Sequence, residues 1–297
     1  MAISGRVTDN SIHTRVLANL QRNIAKGEKI QEQLSSGKQI NRPSDSPAGT
    51  VSSMQLRGET RANQQYSRNA DDGLGWLGTV DASLSSSSSL INRARELAVK
   101  GLNTGSLDAE GSAALAAEID QITDSLIGYA NTKYMDRPVF GGTTAGATAY
   151  DPDGTYIGDD GVMTRTVGAN SKVRVSATGP EAFGSGDTQL FTVLANLSEA
   201  VRSGDNAAMR DSLTKLDSAS NTLKTTLSEV GARYNRVEQM KQSAQDRLLT
   251  VTSQLSDVED VDLPKTIMEM QLQQTSYQAA LAASAKVIQP SLIDFLR

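Results

Sequence analysis

Apolar residues recur at three- and four-residue spacing over most of the chain, which predicts long amphipathic helices rather than strands. The first apolar stripe ends near Gly37, a candidate C-terminal helix stop. Because these positions fall on one helical face, we expect a single helix before Gly37. The stripe consists of Ile12, Val16, Leu20 and Ile24.

A second helix is expected to begin at Ser46-Pro47, where Ser can cap the helix and Pro fits its first turn. Its stripe continues through the serine run 85–89 without slipping, so we interpret that run as helix rather than linker. Asp108 is a candidate cap for a third helix. The expected core positions of these two helices are Leu77, Val80, Leu84, Ser87, Ile91, Ala94, Ala98, Leu115, Ile119, Ile122, Leu126 and Tyr129.

The longest stripe runs from Met209 to Leu255 and includes Tyr234, with Ser220 and Lys241 as its polar positions. A pattern this regular over several heptads is a strong coiled-coil signal. A final helical segment begins near Pro264. Its apolar positions are Ile267, Met270, Tyr277, Leu281 and Ile288, followed by Leu292 and Leu296 near the end.

The segment 139–188 differs in kind from the rest of the chain. It contains ten of the 24 glycines, and 162–175 alternates like two short strands around a turn. Asp151-Pro152-Asp153-Gly154 has the composition of a β-turn. An EF-hand-type calcium loop would need Gly at its sixth position and Glu at its twelfth, and both are missing here.

These patterns predict a mainly α protein in which both chain ends form a long antiparallel helical bundle or coiled coil. A small β-rich insertion should lie in the middle of the sequence. We expect three regions: a terminal assembly domain of 1–42 with 256–297, a helical rod of 43–138 with 189–255, and an insertion of 139–188.

Composition excludes several chemistries. The chain has no Cys and a single histidine, His13, so thiolate sites, disulfides and multi-histidine metal sites are excluded. We find no phosphate loop and no pair of carboxylates arranged for acid–base catalysis. We therefore expect no enzyme activity, no catalytic residues, no cofactor and no metal.

The charge distribution favours contacts between proteins. Residues 1–42 carry seven Lys or Arg against three acidic residues, whereas 256–297 carry six acidic residues against three basic ones. No aromatic residue occurs before Tyr66, so we expect neither nucleic-acid nor membrane binding by the basic end. We also expect no transmembrane span and no cleaved signal peptide.

The terminal stripes need a partner, because apolar side chains near a chain end have little remaining sequence against which to pack. The opposite terminus or a neighbouring subunit could cover them. We therefore assign an assembly interface to Ile12, Val16, Leu20, Ile24, Ile267, Met270, Tyr277, Leu281, Ile288, Leu292 and Leu296.

Three blocks of sequence resemble the bacterial flagellin superfamily: Leu34 to Gly49, Arg93 to Ala98, and Asp257 to Leu296. They occur in the family's order at both ends of the chain. The loop motif Asn41-Arg42-Pro43-Ser44-Asp45 and the Phe140-Gly141-Gly142 stretch are more similar to the hook-associated branch than to filament flagellins. The residues that we assign to a family signature loop are Gly37, Lys38, Ile40, Asn41, Arg42, Pro43, Asp45 and Pro47.

The resemblance implies a structural subunit of the bacterial flagellum that is exported without a cleaved signal peptide and ends outside the cell. Such a subunit would assemble with itself as a ring or helical layer between hook and filament. It would contact a second junction protein on the hook side and flagellin on the filament side. It would also bind an export chaperone through its C-terminal segment.

Two alternatives remain at this point. The chain could be a filament flagellin, which would build a long polymer instead of a short layer. It could also be a coiled-coil adaptor unrelated to flagella, which would form a defined oligomer with covered ends.

Overall fold

The computed structural model describes residues 9–103, 108–144 and 146–288, and it describes side chains from residue 14 to residue 285 within those ranges. The α-helices dominate, as the apolar stripes predict. They are α1 (Asp9–Ser36), α2 (Pro47–Asn103), α3 (Ala109–Ala130), α4 (Gly179–Phe183), α5 (Leu190–Ser203), α6 (Asn206–Glu259) and α7 (Leu263–Ile288). The strands are β1 (Lys133–Tyr134), β2 (Arg137–Pro138), β3 (Thr164–Gly168) and β4 (Ser171–Arg174), and a 3₁₀ turn covers Gly186–Thr188.

Local sequence signals define several helix ends. The Ser46 hydroxyl accepts a hydrogen bond from the Gly49 amide at 3.1 Å, so it caps α2 as predicted. Asp108 caps α3 by accepting from the Gly111 amide. Helix α1 stops before Gly37, whose φ of 69° is the left-handed conformation that glycine adopts without strain.

The chain forms two compact units, 1–61 with 249–297 and 62–248, and the division falls within α2 and α6. The predicted domain boundaries, at 42/43, 138/139, 188/189 and 255/256, remain predictions. We call 1–61 with 249–297 the terminal unit and 62–248 the central unit.

The central unit has a continuous apolar core formed by α2, α3, α5, α6 and the insertion. Helices α2 and α6 run antiparallel there, because Asp71 pairs with Lys241 at 2.9 Å and Arg95 pairs with Asp217 at 2.7 Å. Lys241, one of the two polar positions in the α6 stripe, therefore has a partner at the edge of the seam. Ser87 is fully buried, which confirms that the serine run belongs to the helix.

Two tyrosines lie outside the core positions predicted for them. Tyr129 and Tyr234 are both 38 % exposed. In α3 the core position is taken by Ala130, which is fully buried. Consecutive helical residues point about 100° apart, so the phenol ring of Tyr129 stays at the surface, where its hydroxyl can reach water.

The insertion contains the expected strands and turn. Strands β3 and β4 pair antiparallel with an irregularity between Thr166 and Gly168, and the Gly154 amide donates to the Asp151 carbonyl at 3.0 Å. Sequence reasoning missed α4, a short helix in which the Glu181 carboxylate accepts from the Thr178 amide at 3.1 Å. The rings of Phe140, Tyr150 and Phe183 in the insertion pack against one another and against Phe191 at the start of α5.

Candidate assembly interface

Helices α1 and α7 pack against each other in the terminal unit. They run antiparallel, since Gln273 donates its side-chain amide to the Asn23 carbonyl at 2.8 Å and Lys38 pairs with Asp260 nearer the other end. The α7 face turned towards α1 is mixed in character. It includes Thr266, Met270, Gln273, Tyr277, Ala280 and Ser284, which are buried or half-buried.

A set of large apolar side chains on this helix pair faces away from it. Seven such residues are at least 43 % exposed, and we call them the outer apolar row. Exposed apolar groups spread along two long helices are typical of a surface that another protein covers. The row consists of Leu17 and Ile24 on α1, and Leu263, Ile267, Met268, Leu272 and Leu281 on α7.

The structure divides the predicted interface residues into two groups. Val16, Leu20, Met270 and Tyr277 are half-buried between α1 and α7. Ile24, Ile267 and Leu281 are exposed and belong to the outer apolar row. For Ile12 and Ile288 only the backbone is described, and Leu292 and Leu296 lie outside the described residues.

Leu263, Met268 and Leu272 were missed because the sequence interpretation followed a single stripe along α7. Met268 and Leu272 are four residues apart and start a second stripe beside the first. A helix that carries two apolar stripes can contact its own chain with one and another subunit with the other. Both stripes together are the candidate interface.

The predicted signature loop folds back on itself. Asp45 accepts hydrogen bonds from the Asn41 amide at 3.2 Å and the Arg42 amide at 2.9 Å, and it pairs with Lys29 at 3.0 Å. The pKa of Asp45 is therefore lowered, first of all by Lys29. Arg42 reaches Glu32 at 3.3 Å in an exposed pair.

The remaining loop residues have supporting roles. The Asn41 side chain donates to the Lys38 carbonyl at 3.2 Å. Ile40 lies against Gly49, where an added Cβ would meet the Ile40 Cδ1 atom at 2.6 Å. Pro47 starts α2, and Pro43 is exposed within the loop.

The loop is fastened to the junction of α6 and α7. The Gln39 amide donates to the Glu259 carbonyl at 2.6 Å, and the Val261 amide donates to the Gly37 carbonyl at 3.1 Å. Asp260 accepts from the Lys38 ammonium at 2.6 Å. Two backbone hydrogen bonds and an ion pair thus connect residues that are far apart in sequence.

Glu259 lies at the centre of this connection. Its side chain is only 2 % exposed, and it contacts Arg57 of α2 through both guanidinium Nε and Nη2 at 2.7 Å. Lys38 lies 3.5 Å away on the other side. The pKa of Glu259 is lowered, mainly by Arg57, so the carboxylate stays ionised although it is buried. We call Lys38, Gln39, Arg57, Glu259, Asp260 and Val261 the clasp.

The described residues provide no candidate metal site. They contain no group of three His, Cys, Asp or Glu residues placed to bind a metal ion. None of the described helices is both long enough and apolar enough to cross a membrane. The outer apolar row remains the candidate surface for a partner.

Known proteins match this chain over nearly its whole length. The bacterial flagellin N-terminal helical region matches residues 7–144, and the bacterial flagellin C-terminal helical region matches residues 213–296. Together the two regions cover well over half of the chain, in the same order and at the same ends. The chain belongs to the bacterial flagellin superfamily.

Individual relatives come from two branches of this superfamily. The flagellin of Bacillus subtilis is 27 % identical over 96 % of this chain and 96 % of its own length. Flagellar hook-associated protein 3 of Escherichia coli is also 27 % identical, over 94 % of this chain and 95 % of its own. The structure of hook-associated protein 3 from Legionella pneumophila is 15 % identical, covers 69 % of this chain and 98 % of its own, and has a TM-score of 0.61.

Superfamily members are structural proteins of the flagellum, and this chain is a structural protein rather than an enzyme. Its place is in the bacterial flagellum, outside the cell. It assembles there with other flagellar components. Membership also removes the support for a coiled-coil adaptor unrelated to flagella.

Proposed function

We propose that this chain is the subunit that joins the flagellar hook to the filament. The outer apolar row on α1 and α7 carries the proposal, because these side chains are exposed among the described residues of the terminal unit and fit a subunit that is completed by its neighbours. The similarity to hook-associated protein 3 over nearly all of both chains supports a junction position.

In this proposal the subunit assembles with copies of itself into a ring or a short helical layer. The hook side of the layer contacts the second junction protein, and the filament side contacts flagellin. The terminal helices would line the inner tube of the layer, and the insertion of 139–188 would face outwards.

The test is to delete the gene and restore it on a plasmid. A junction subunit leaves bare hooks and flagellin shed into the medium when it is missing, because the filament has nothing to grow on. Immunogold labelling of the restored strain should mark one short zone at the base of each filament. Label along the whole filament would contradict the junction role.

Filament flagellin is the second candidate, and the match to the Bacillus subtilis flagellin over 96 % of both chains favours it. The same deletion separates the two roles. If this chain is the filament subunit, its deletion removes the filament protein itself, so no flagellin is shed from the bare hooks.

We also propose that an export chaperone covers the C-terminal segment before assembly. Leu263, Met268 and Leu272 of α7 are each at least 50 % exposed, and they would otherwise favour premature association in the cell. A tagged chain should retain the chaperone in a pull-down. Removal of 256–297 should abolish retention, and Met268→Asp with Leu272→Asp should weaken it far more than Leu17→Asp on α1.

Export without a cleaved signal peptide completes the proposal. Protein taken from sheared flagella should begin at Met1 or Ala2 when its N-terminus is sequenced. An N-terminus further along the chain would show that a leader is removed.

A further inference from the structure

Besides one hydrogen bond, from the Gln273 side chain to the Asn23 carbonyl at 2.8 Å, the described contact between α1 and α7 contains little that fixes how far one helix is shifted along the other. Among the described side chains of the two helices, the buried ones are Ile30, Thr266 and Gln273. Two of these three are polar, and small residues such as Gly27 and Ala280 also occur in the contact. A large interlocking core, which would resist sliding, is absent from this described part of the pair.

The α7 face also repeats itself. Positions 266, 270, 273, 277, 280 and 284 follow the three- and four-residue spacing of one helical face. A shift of one turn, about 5.4 Å, would therefore keep the same face of α7 against α1, although different side chains would meet at each level. The Gln273–Asn23 hydrogen bond favours the observed register from within the pair, and contacts outside the pair can add to that preference.

The clasp lies where this selection can be made. Helix α1 ends at Ser36, two residues before Lys38 of the clasp. Helix α7 begins at Leu263, two residues after Val261 of the clasp. The Gln39–Glu259 and Val261–Gly37 backbone hydrogen bonds fix the end of α1 relative to the start of α7. A one-turn slip would break both bonds and separate Lys38 from Asp260.

We propose that Glu259 is the positioning residue for the terminal helix pair, and that Arg57 holds it in place. Arg57 belongs to α2, which is a third segment of the terminal unit, so its two contacts at 2.7 Å tie the α6–α7 junction to an independent anchor. A carboxylate that is 2 % exposed would lose its two short contacts by moving away from Arg57 and would keep only the longer contact to Lys38 at 3.5 Å. The register of α1 on α7 is thereby set at one end.

The absence of cysteine makes a register assay direct. Gly27→Cys with Gln273→Cys reports the observed register, because a Cβ at Gly27 would lie 3.9 Å from the Gln273 Cγ atom. Gly27→Cys with Glu269→Cys, or with Tyr277→Cys, reports a slip of one turn in either direction. Both slipped reporters also carry Gln273→Ala, so that all three lack the Gln273–Asn23 hydrogen bond. Disulfide formation under mild oxidation of the purified full chain is measured for each pair.

In the parent chain we expect the observed-register pair to cross-link about tenfold more than either slipped pair, a ratio that corresponds to roughly 1.4 kcal/mol. Arg57→Met or Glu259→Gln should bring that preference to about twofold or less, while Arg57→Lys should retain most of it. Arg42→Met is the matched control. It removes an exposed ion pair between the signature loop and Glu32 of α1, outside the clasp, and should leave the preference unchanged.

An undiminished preference in both Arg57→Met and Glu259→Gln would overturn the proposal, as would a parent chain that shows no preference. Equal loss in the Arg42→Met control would also overturn it. The consequence for assembly rests on the proposed junction role: Arg57→Met should reduce filament attachment in cells. Cross-linking measures the register in purified protein, independently of filament attachment in cells. A variant that loses the register but still attaches filaments normally would therefore count against the junction role and leave the clasp proposal intact.

Discussion

Lys38 and Asp260 are 222 positions apart in the sequence, and their side chains meet at 2.6 Å. The contact brings the end of the first helix to the start of the last one. Each partner changes the other's titration, since the pKa of Asp260 is lowered chiefly by Lys38 and the pKa of Lys38 is raised chiefly by Asp260. The clasp should therefore respond to pH.

The clasp should loosen in acid. The ordinary pKa values of Glu259 and Asp260 are 4.5 and 3.8, and both are lowered in the folded protein. A lowered folded-state pKa means that the carboxylates stabilise the fold above those ordinary values, and that this contribution is lost as the pH falls through the folded-state values. Protection of the Gln39 and Val261 amides from hydrogen exchange, corrected for intrinsic rates, should fall below about pH 4.

Two variants control the acid experiment. Glu259→Gln should lower amide protection already at neutral pH and flatten its dependence on pH. Glu32→Gln, which alters an exposed pair, should follow the parent chain. Protection that stays constant down to about pH 2 in the parent would show that the carboxylates do not stabilise the clasp.

Leu281→Asp separates assembly from folding. Leu281 is 43 % exposed, so a carboxylate there remains hydrated and should change the free energy of unfolding by less than about 0.5 kcal/mol. If neighbouring subunits cover this residue, the same charge becomes buried on assembly and should prevent filament attachment. Thermal unfolding of the purified chain and counting of attached filaments are the two measurements.

Val230→Asp is the matched control for that variant. Val230 lies in α6 and is fully buried in the central core. Its replacement should lower the free energy of unfolding by about 3 kcal/mol or more. Comparable destabilisation by the two variants, or normal filaments built with Leu281→Asp, would argue against an assembly surface on α7.

Ser87 and Ser89 test the packing of the serine run. Ser87 is fully buried and its hydroxyl donates to the Ser83 carbonyl at 2.8 Å, whereas Ser89 is exposed. Ser87→Leu should overpack the core and cost about 1–3 kcal/mol of unfolding free energy. Ser89→Leu should stay within about 0.5 kcal/mol of the parent in chemical denaturation. Equal effects would mean that the run does not pack as a helix seam.

Two glycines should respond to alanine in opposite ways. Gly142 has a φ of 69°, and an added Cβ would overlap the Asp159 carbonyl oxygen. Gly142→Ala should therefore destabilise the central unit by about 1–3 kcal/mol. Gly128 lies within α3 with open space around it, so Gly128→Ala should stabilise by about 0.5–1 kcal/mol. Denaturation midpoints that move in the same direction would contradict the opposite environments assigned to the two glycines.

Local and periodic features of the fold could be predicted from the sequence. The stop at Gly37, the caps at Ser46 and Asp108 and the β-turn at Asp151 each depend on a few neighbouring residues. The stripe through Ser87 was equally informative, because helical spacing alone decides which face a residue occupies.

The candidate site was less predictable. The pairing of Arg57 with Glu259 joins distant segments, and no local pattern indicates it. Tyr129 was wrongly assigned to the core, because a tyrosine has an apolar ring and a polar hydroxyl and therefore fits either the buried or the exposed face of a helix. The second stripe at Met268 and Leu272 was overlooked, since the first apolar stripe of α7 alone already accounted for packing against α1.

The insertion is closed at its base, because the Gly179 amide donates to the Phe140 carbonyl at 2.9 Å. Parts of this module pack into the core that it shares with the helices, so added residues belong in its exposed turns, such as 169–170 between β3 and β4. Doubling the length of a flexible loop adds only about 0.6 kcal/mol of closure entropy. A foreign epitope grafted into that turn should therefore be displayed without redesign of the helical scaffold.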